Sequence, residues 1–488
     1  MILAIPFAIF GYLCGMLSSD FFSSDTICAL STPDGVGALS VVRMSGRNAF
    51  SICDQIFIPA GKHKNITDKI LPAVIFGRVM DDEQILDEAL VTAFKGPHSF
   101  SGEDTVEFSL HGSSFIRERL MQLLIEKGAR PATQGEFTKR AFMNGKMDLS
   151  QAEAIGDLIH SESAAAHKIA MHQMRGGFGE ELRALREGLV SFASLIELEL
   201  DFGEEDVEFA NRDDLKQQVN KIREVIHRLT DSFKIGNAIK NGVPVAIVGA
   251  PNAGKSTLLN ALLNEEKAIV SSIAGTTRDV IEDTLTIDGI LFRIIDTAGI
   301  RANPDNEIER IGIERTFQKI KGADIVLYIT DGTEASAHTG HVSSEDLFKG
   351  FENAQKIQAE FPASKVVLVA NKCDLRHDAI MWASNFPLVT ISAKEKRGID
   401  ELKNAMVAAM GGAPQQNQTV VTNLRHYDAL VKADNYLQKV LEGLDLNITN
   451  DFVAMDIRQS LYHLGEITGQ VTVDDLLENI FSKFCIGK

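Results

Sequence analysis

The spacing of hydrophobic positions divides the 488-residue chain into segments of different character. Residues 25–144 alternate short apolar runs with turns that contain Gly and Pro, and they include one helical stretch, Ser114–Lys127. The apolar runs are Ala38–Arg43, Ala89–Phe94 and Thr105–Leu110. Short runs bounded by turn residues are typical of strands, so this segment predicts a compact α+β domain.

The rest of the chain is helical on both sides of a segment with strand character. Apolar residues recur at helical spacing over Gln151–Leu200, Arg212–Lys240 and Asn423–Phe484. Between these flanks, residues 241–410 alternate strand-like runs, loops and helices. Each helical flank needs a partner for its apolar stripe. We therefore expect one helical domain, residues 145–240 plus 411–488, with an α/β domain inserted at 241–410, because insertions are tolerated where chain ends lie close together.

The first 24 residues form an apolar extension whose role the sequence leaves open. Met1–Ser19 carries no charged residue and has the length of a transmembrane segment. It lacks the basic start of a signal peptide and the Arg residues of a transit peptide. An anchor, a partner-binding tail and an upstream start-site artefact are the alternatives. We favour the artefact, because nothing downstream indicates secretion, and we expect no stable membrane association.

Composition limits the partners and the compartment. The chain has 67 acidic and 49 basic residues, a formal net charge of −18, and 44% hydrophobic residues. This charge argues against non-specific coating of nucleic acid but permits RNA binding through a local basic surface. The five cysteines contain no C-x-x-C pair, and an odd number fits a reducing compartment. We therefore expect a cytoplasmic protein.

Four short motifs follow one another within residues 241–410. They are GAPNAGKS at 249–256, DTAG at 296–299, NKCD at 371–374 and SAK at 392–394. The first has the form of a phosphate-binding loop after a strand. In such a loop, backbone amides surround the phosphates, Lys255 reaches the β- and γ-phosphates, and the Ser256 hydroxyl binds Mg²⁺.

The last two motifs select the base. Asp374 can accept hydrogen bonds from N1–H and the exocyclic amine of guanine, and the backbone amide of Ala393 can donate to O6. Asn371 and Lys372 would fix the loop and cover the ring. Adenine lacks those donors, so it would leave the Asp374 carboxylate unpaired at a large cost. The motifs therefore predict a GTP-binding domain.

The predicted GTP-binding residues are Asn252, Ala253, Gly254, Lys255, Ser256, Thr257, Ser271, Ser272, Ile273, Ala274, Gly275, Thr276, Thr277, Asp296, Thr297, Ala298, Gly299, Asn371, Lys372, Asp374, Ser392, Ala393 and Lys394. Within this set, Thr277 is expected to bind Mg²⁺ beside Ser256, while Asp296 supports the metal through its water shell.

The position after DTAG bears on how GTP is hydrolysed. Many GTPases have a glutamine there that orients the attacking water, but this chain has Ile300, which cannot hydrogen-bond to water. Asn252 can instead offer its side-chain oxygen to a cation beside the α- and γ-phosphates. Carbonyl groups of residues 271–276 could surround the same ion. A monovalent cation at that position would neutralise developing charge.

Seven segments of this sequence resemble the MnmE (TrmE) family of tRNA modification GTPases. They are residues 25–46, 96–104 (GPHSFSGED), 135–142 (GEFTKRAF), 149–155 (LSQAEAI), 273–279 (IAGTTRD), 308–315 (IERIGIER) and 484–488 (FCIGK). The resemblance covers residues 25–488. It implies a multidomain α/β and all-α protein: an α+β folate-binding domain at 25–144, a helical domain from two flanks, and an inserted Ras-like P-loop GTPase domain.

The resemblance also implies a reaction and its partners. A homodimer forms through the N-terminal domains and, with an FAD-containing, NADH-using partner protein, assembles into a heterotetramer. The complex adds an aminomethyl or carboxymethylaminomethyl group to C5 of the wobble uridine, position 34, of certain tRNAs. A 5-formyltetrahydrofolate-type folate supplies the one-carbon unit. The residues implied for folate binding are Arg43, Glu107, Lys146 and Lys488.

The family motifs further assign roles in GTP hydrolysis. The cation is implied to be K⁺, bound by Asn252, Ser271, Ile273 and Thr276, and Glu309 is implied to position the hydrolytic water. Cys485 is a candidate catalytic thiol, with a buried structural cysteine as the equal alternative.

Two other functions stay open on the sequence. The chain could be a GTPase switch of another class, with its helical flanks as a docking module. It could also be a folate-dependent one-carbon transferase whose GTPase domain is only regulatory. The motifs around Arg43 and at the C-terminus favour the tRNA-modifying function over the first of these.

Overall fold

A computed structural model describes residues 25–61, 65–66, 71–201, 212–249, 251–264, 283–295, 320–333, 345–375, 386–410, 419–446, 448–472 and 474–487. The described residues form two compact units. The first runs to Gly156 and resumes at Gly465, and the second is Asp157–Leu464. The apolar extension, residues 1–24, lies outside the described residues. No helix among the described residues is long and apolar enough to cross a membrane.

The first unit is built on a seven-stranded sheet with the order β3-β4-β5-β6-β2-β1-β7. Its strands are β1 (Thr26–Leu30), β2 (Leu39–Ser45), β3 (Phe57–Pro59), β4 (Ala73–Asp81), β5 (Gln84–Phe94), β6 (Thr105–His111) and β7 (Ala129–Pro131). Its helices are α1 (Ala49–Ile56), α2 (Ser114–Glu126), α3 (Glu136–Met143) and most of α4 (Leu149–Ile159). Neighbouring strands are antiparallel except β1 and β7, which are parallel.

One face of this sheet forms the core of the unit. Alternate residues of β5 and β6, including Val91, Val106 and Phe108, are buried against apolar residues of α1 and α2 such as Ile52 and Leu120. The period of two along each strand matches a sheet with one buried and one solvated face.

The opposite face exposes an apolar strip. Ile58, Val74, Phe76 and Leu90 are all about half exposed or more. Phe76 lies opposite Leu90 in the register of β4 and β5, and Leu90 lies opposite Ser109 of β6.

The C-terminus returns to the first unit. Helix α13 (Asp474–Phe481) and the following Phe484 pack on Leu149 and Ala152 of α4. Gly135, immediately before α3, adopts φ +64, and a Cβ there would come within 2.7 Å of the Phe481 carbonyl oxygen. Glycine therefore allows the C-terminal helix to approach this closely.

The helices of the second unit flank a second sheet in the sequence. They are α5 (Ala164–Met174), α6 (Gly177–Asp201), α7 (Arg212–Asn241), α11 (Leu424–Asp445) and most of α12 (Asn450–Thr468). α7 and α11 pack through apolar residues including Ile226 and Leu437, both fully buried. Ion pairs at the edge, such as Arg223–Asp434 at 2.8 Å, join the same two helices.

The second sheet has six strands in the order β13-β12-β11-β8-β10-β9. The strands are β8 (Val243–Gly249), β9 (Asp283–Ile287), β10 (Ile290–Ile295), β11 (Ile325–Asp331), β12 (Lys365–Asn371) and β13 (Leu388–Thr390), and its helices are α8 (Lys255–Asn264), α9 (Glu345–Glu360) and α10 (Ile399–Ala409). All neighbours are parallel except β9 and β10.

The sequence of β8 shows why the sheet is buried on both faces. Val245 and Ile247 belong to the apolar cluster on one side, and Ala246 and Val248 to the cluster on the other. A continuous apolar run is typical of a central parallel strand. In such sheets ligands bind at the carboxyl ends of the strands, where β8 and β12 place the phosphate-binding loop and the NKCD motif.

Candidate functional site

The phosphate-binding loop connects β8 to α8 with a backbone that requires glycine. Gly249 has φ +147, and a Cβ there would overlap the carbonyl oxygen of Ile329 on β11. Gly254 has φ +95, and a Cβ there would overlap the side-chain amide of Asn371. Asn252 is also left-handed, at φ +61. These conformations let the loop curl tightly before the first turn of α8, whose free amides favour an anion.

The lysine of this loop lies across it. Lys255 Nζ donates to the Gly249 carbonyl at 3.0 Å, and partial burial lowers the pKa of Lys255. Ser256 and Thr257, in the first turn of α8, are exposed. The Ser256 hydroxyl is an oxygen ligand of the kind that Mg²⁺ prefers. The exposed Asn252 amide can offer its oxygen to a monovalent cation. Both side chains therefore fit the ions expected there.

One buried side chain joins the phosphate loop to the guanine motifs. Asn371, which is 3% exposed, donates through Nδ2 to the Ala253 carbonyl at 2.9 Å. Its Oδ1 accepts from the Ala393 amide at 2.9 Å. Because an amide offers both a donor and an acceptor, Asn371 fixes the two loops relative to each other.

The carboxylate expected to read guanine is held by a neighbouring motif. Ser392 Oγ donates to Asp374 Oδ1 at 2.5 Å, and this hydrogen bond is the main cause of the lowered pKa of Asp374. Asp374 is therefore oriented and ionised, which suits it to accept two hydrogen bonds from a base.

A second carboxylate, Asp331, orients the lysine of the NKCD motif. Lys372 Nζ lies 2.6 Å from Asp331 Oδ2. Asp331 Oδ1 accepts from the backbone amide of Thr333 at 3.0 Å and from its hydroxyl at 2.7 Å. Burial would raise the pKa of Asp331, but the hydrogen bonds from Lys372 and Thr333 lower it. Sequence reasoning missed Asp331, although its place at the end of β11, beside Asn371 in the sheet, was the available signal.

A separate cluster surrounds Arg43 in the first unit. Arg43 Nε donates to Glu107 Oε1 at 2.8 Å, across paired positions of β2 and β6. The guanidinium carbon lies 5.2 Å from the centre of the Phe100 ring and 5.6 Å from that of Phe137. Arg43 and Glu107 are thus held together across the two strands.

The C-terminal tail ends at this cluster. The Gly487 carbonyl accepts from Ser31 Oγ at 3.2 Å and from Arg43 Nη1 at 3.4 Å. Ile486 forms a backbone bridge with Gln134. Gly487 has φ +97, and a Cβ there would overlap the Leu30 carbonyl. The residue before Lys488 is therefore anchored beside Arg43.

Two models of protein families match the chain. The GTP-binding protein TrmE N-terminus matches residues 26–146, and the MnmE helical domain matches residues 149–485, more than half of the chain. The chain belongs to the MnmE family. As a member of this family it is a GTPase, and the predicted resemblance and fold class are confirmed.

Relatives named tRNA modification GTPase MnmE match over almost their whole length. The protein of Flavobacterium johnsoniae is 52% identical over 474 residues, 96% of this chain and 100% of the relative. That of Bacteroides thetaiotaomicron is 51% identical over 477 residues, again 96% and 100%. Among solved structures, the G domain of the T. maritima FeoB iron transporter covers 34% of this chain and 98% of its own, at 22% identity and a TM-score of 0.24.

Several residues predicted for an MnmE-type site lie outside the described residues. They are Ser271, Ser272, Ile273, Ala274, Gly275, Thr276, Thr277, Asp296, Thr297, Ala298, Gly299, Glu309 and Lys488. Among the residues that the structure describes, no group of three or more His, Cys, Asp or Glu side chains is placed to hold a metal.

The remaining candidates of the first unit differ in their placement. Lys146 Nζ donates to the Pro97 carbonyl at 2.8 Å, on the loop that also carries Phe100. Cys485 is exposed, so the alternative of a buried structural cysteine is wrong. Cys485 directly precedes Ile486 and so belongs to the C-terminal tail that contacts Arg43.

A partly buried ion network that the sequence did not reveal supports this MnmE-family domain. Arg140 binds Asp25, Glu103 and Glu136, and Arg130 binds Asp25 and Glu136. Burial alone would raise the pKa of Glu136, but the hydrogen bonds from Arg130, the Thr133 amide and Arg140 lower it to about 2. The network ties β1 and α3 to the loop of residues 96–104, and so it helps to hold that loop beside Arg43.

Proposed function

We propose that this chain is a GTP-driven tRNA modification enzyme. It acts with an FAD-containing, NADH-using partner to add an aminomethyl or carboxymethylaminomethyl group at C5 of the wobble uridine of certain tRNAs. The observation that best supports this proposal is that β2, the loop of residues 96–104 and the C-terminal tail all meet at Arg43. The chain that carries this cluster also belongs to a GTPase family. The protein acts in the cytoplasm.

The Arg43 cluster has the chemistry for a folate. A guanidinium has five N–H donors, and within the described part of the chain only Nε and Nη1 of Arg43 donate to a protein acceptor. The remaining donors can bind a glutamate-tail carboxylate in the two-point geometry that arginine favours. Glu107 can accept from the donor-rich edge of a pterin. Lys146 and Lys488 would neutralise further negative charge. Bound folate supplies the one-carbon unit.

The GTP site works through positioning and charge. Lys255 leaves the Gly249 carbonyl to contact the β- and γ-phosphates, and the amides at the start of α8 bind phosphate oxygens. Ser256 and Thr277 hold Mg²⁺, and Asn252 contributes an oxygen ligand to K⁺. When bound, these cations stabilise negative charge on the transferring phosphoryl group. Glu309 orients the attacking water, since Ile300 cannot.

The exposed apolar strip on the first unit supports a homodimer. Ile58, Val74, Phe76 and Leu90 form a contiguous face on β3, β4 and β5, and Thr92 of β5 lies opposite Glu107. Exposed apolar patches of this kind mark interaction surfaces. Burial of this face against a second copy would place the Arg43 cluster at the border of the interface. The homodimer then binds the FAD-containing partner to form a heterotetramer.

Mass spectrometry of wobble nucleosides tests the proposal. Cells that lack this chain should lose the C5 modification and regain it with the wild-type gene but not with Arg43→Ala. Unchanged wobble uridines in the deletion strain would overturn the proposed function. Full modification with Asp374→Ala, which removes the guanine contact, would instead favour a one-carbon transferase whose GTPase domain is dispensable for chemistry.

A further inference from the structure

Helix α5 (Ala164–Met174) carries positive charge on its outer side. Lys168 lies within the helix and Arg175 is its C-cap, and both are exposed, as is His167. Lys168 and Arg175 are seven residues apart, or about two helical turns, so they project from the same side. We call this surface, made by His167, Lys168 and Arg175, the cationic face.

Helix α5 itself contains no carboxylate to balance this charge, and the nearest in sequence are the exposed Glu162 and Glu180. Residues 163–179 include no Asp or Glu, although the chain as a whole has 67 acidic and 49 basic residues. Unbalanced basic residues on one helix face attract polyanions locally even when the net charge of the whole molecule, −18, repels them.

Three cations of the neighbouring helix α7 are used differently. Lys216, Arg223 and Lys240 form ion pairs with Asp445, Asp434 and Asp157 at 2.6–2.8 Å. By contrast, Lys168 and Arg175 have no carboxylate within ion-pair distance in the part of the chain that the structure describes. These three cations are thus engaged within the fold, whereas Lys168 and Arg175 are left to an external anion.

The inner side of α5 fixes the orientation of the cationic face. Ser163 Oγ accepts from the Ala166 amide at 3.2 Å and caps the helix. Ala166 and Ile169 pack against the apolar core of the GTPase sheet, which also contains Ala253 of the phosphate-binding loop. The buried Gln173 donates to the Val420 carbonyl at 3.1 Å. The helix therefore packs on the core of the GTPase sheet while its opposite side faces solvent.

We propose that the cationic face binds the phosphate backbone of tRNA. Exposed Lys and Arg side chains bind phosphates without reading sequence, and they gain free energy by releasing counterions. The inference rests on the proposed tRNA-modifying function. It adds that RNA contacts a helix that packs on the same apolar core as Ala253 of the phosphate-binding loop.

Fluorescence anisotropy with labelled bulk tRNA and the full-length protein tests this surface. The variant Lys168→Ala/Arg175→Ala should bind about tenfold more weakly at about 0.1 M salt, and the slope of log affinity against log salt should fall by about 2. The variant Lys168→Arg/Arg175→Lys should keep the wild-type affinity and slope, because the charges are retained.

A matched control removes two exposed lysines from other helices. Lys221 lies on α7 and Lys432 on α11, both exposed and in the same unit, so Lys221→Ala/Lys432→Ala changes the net charge by the same amount. It should leave tRNA affinity near the wild-type value. An equal loss in this control would show a general charge effect and overturn the proposal, as would an unchanged salt slope in the α5 variant.

Two further outcomes separate the alternatives. If the α5 variant binds tRNA normally but no longer associates with the FAD-containing partner, the cationic face serves an acidic protein surface and the proposal is overturned. If wild-type cells depend on the chain for wobble modification while the α5 variant complements fully and binds tRNA normally, the proposed function stands and only this inference fails.

Discussion

At the scale of single residues, the pair Lys372–Asp331 determines how the guanine site is prepared. Lys372 has the left-handed φ of +66, and Asp331 holds its ammonium group at 2.6 Å. This contact fixes the side chain of Lys372, which is expected to cover the base. Asp331 therefore acts as a positioning residue.

We expect Asp331→Asn to speed guanine-nucleotide dissociation by about tenfold or more, because hydrogen bonds between charged groups contribute roughly 1.5–3 kcal/mol. KM for GTP should rise while kcat changes little. Stopped-flow release of a fluorescent GDP analogue measures the rate. Thr333→Val, which removes one of the hydrogen bonds to Asp331, should have a smaller effect. An unchanged dissociation rate in Asp331→Asn would remove the positioning role.

Gly249 lies at a second position where the backbone requires glycine. Its Cβ would overlap the Ile329 carbonyl, and its φ of +147 is unfavourable for other residues. We expect Gly249→Ala to weaken GTP binding more than tenfold in a titration calorimeter. Gly322→Ala is the matched control, because a Cβ at Gly322 has no atom within 4 Å and its φ is unrestricted. Equal affinities in the two variants would contradict this account.

Some residues of these sites can be predicted from sequence motifs, and others cannot. The motifs alone single out Lys255, Asn371 and Asp374, because their spacing is tied to the chemistry of a nucleotide. Arg43 and Glu107 were reached only through the family resemblance, since a lone Arg or Glu is usually a surface charge. Asp331 has no motif of its own, and its role follows from the pairing of two parallel strands that are distant in sequence.

At the scale of elements, the network around Glu136 joins a strand, a helix and a loop. The folded-state pKa of Glu136, about 2, lies below its ordinary value of 4.5. The carboxylate therefore stabilises the fold above about pH 4.5, and this contribution is lost as the pH falls through about 2.

We expect Glu136→Gln to lower the free energy of unfolding by about 2–3 kcal/mol at pH 7. The difference from wild type should shrink as the pH falls from about 4.5 toward 2, because protonation removes the same charge from the wild-type protein. Urea unfolding at pH 7 and pH 3 measures both quantities. A difference that stays constant between the two pH values would argue against the network as its cause.

Several elements matched their sequence patterns closely and others did not. The runs Thr105–Leu110 and Arg212–Lys240 correspond to β6 and α7 within one residue at each end. The helical region Gln151–Leu200 is divided among α4, α5 and α6 instead, because Ser163 caps the start of α5 and Gly176 follows its C-cap, Arg175, before α6 begins. Periodicity identifies helical residues, but breaks depend on such local signals.

At the scale of the whole molecule, the exposed apolar strip should control self-association. We expect Phe76→Asp/Leu90→Asp to convert a homodimer into a monomer, because paired charges on facing strands would oppose burial of the strip. Both side chains are about half exposed, so the fold should survive. Light scattering after size exclusion measures the mass. Ile125→Asp, a similarly exposed site on α2, should leave the dimer intact, and a dimeric double variant would place the interface elsewhere.

The architecture was more predictable than the sites. The change from strand to helical texture and back indicated an inserted α/β domain, and the family models confirm the fold class. The domain boundaries at residues 144, 240 and 410 stay predictions. They depend on how side chains pack between elements, which hydrophobic spacing does not specify.

The chain meets α7 twice around the GTPase sheet. It leaves the helix at Asn241 to begin β8 at Val243, and it returns where the Val421 amide donates to Ser232 Oγ at 3.0 Å. Gly236 gives the returning backbone its room, since a Cβ there would overlap the Val421 carbonyl. A gene rearrangement that exchanged the intervening segment would therefore need to match the last three turns of α7 and the side of α5 that packs on the sheet. Because the domain is attached over so few elements, it could be exchanged as a unit, both in evolution and in protein engineering.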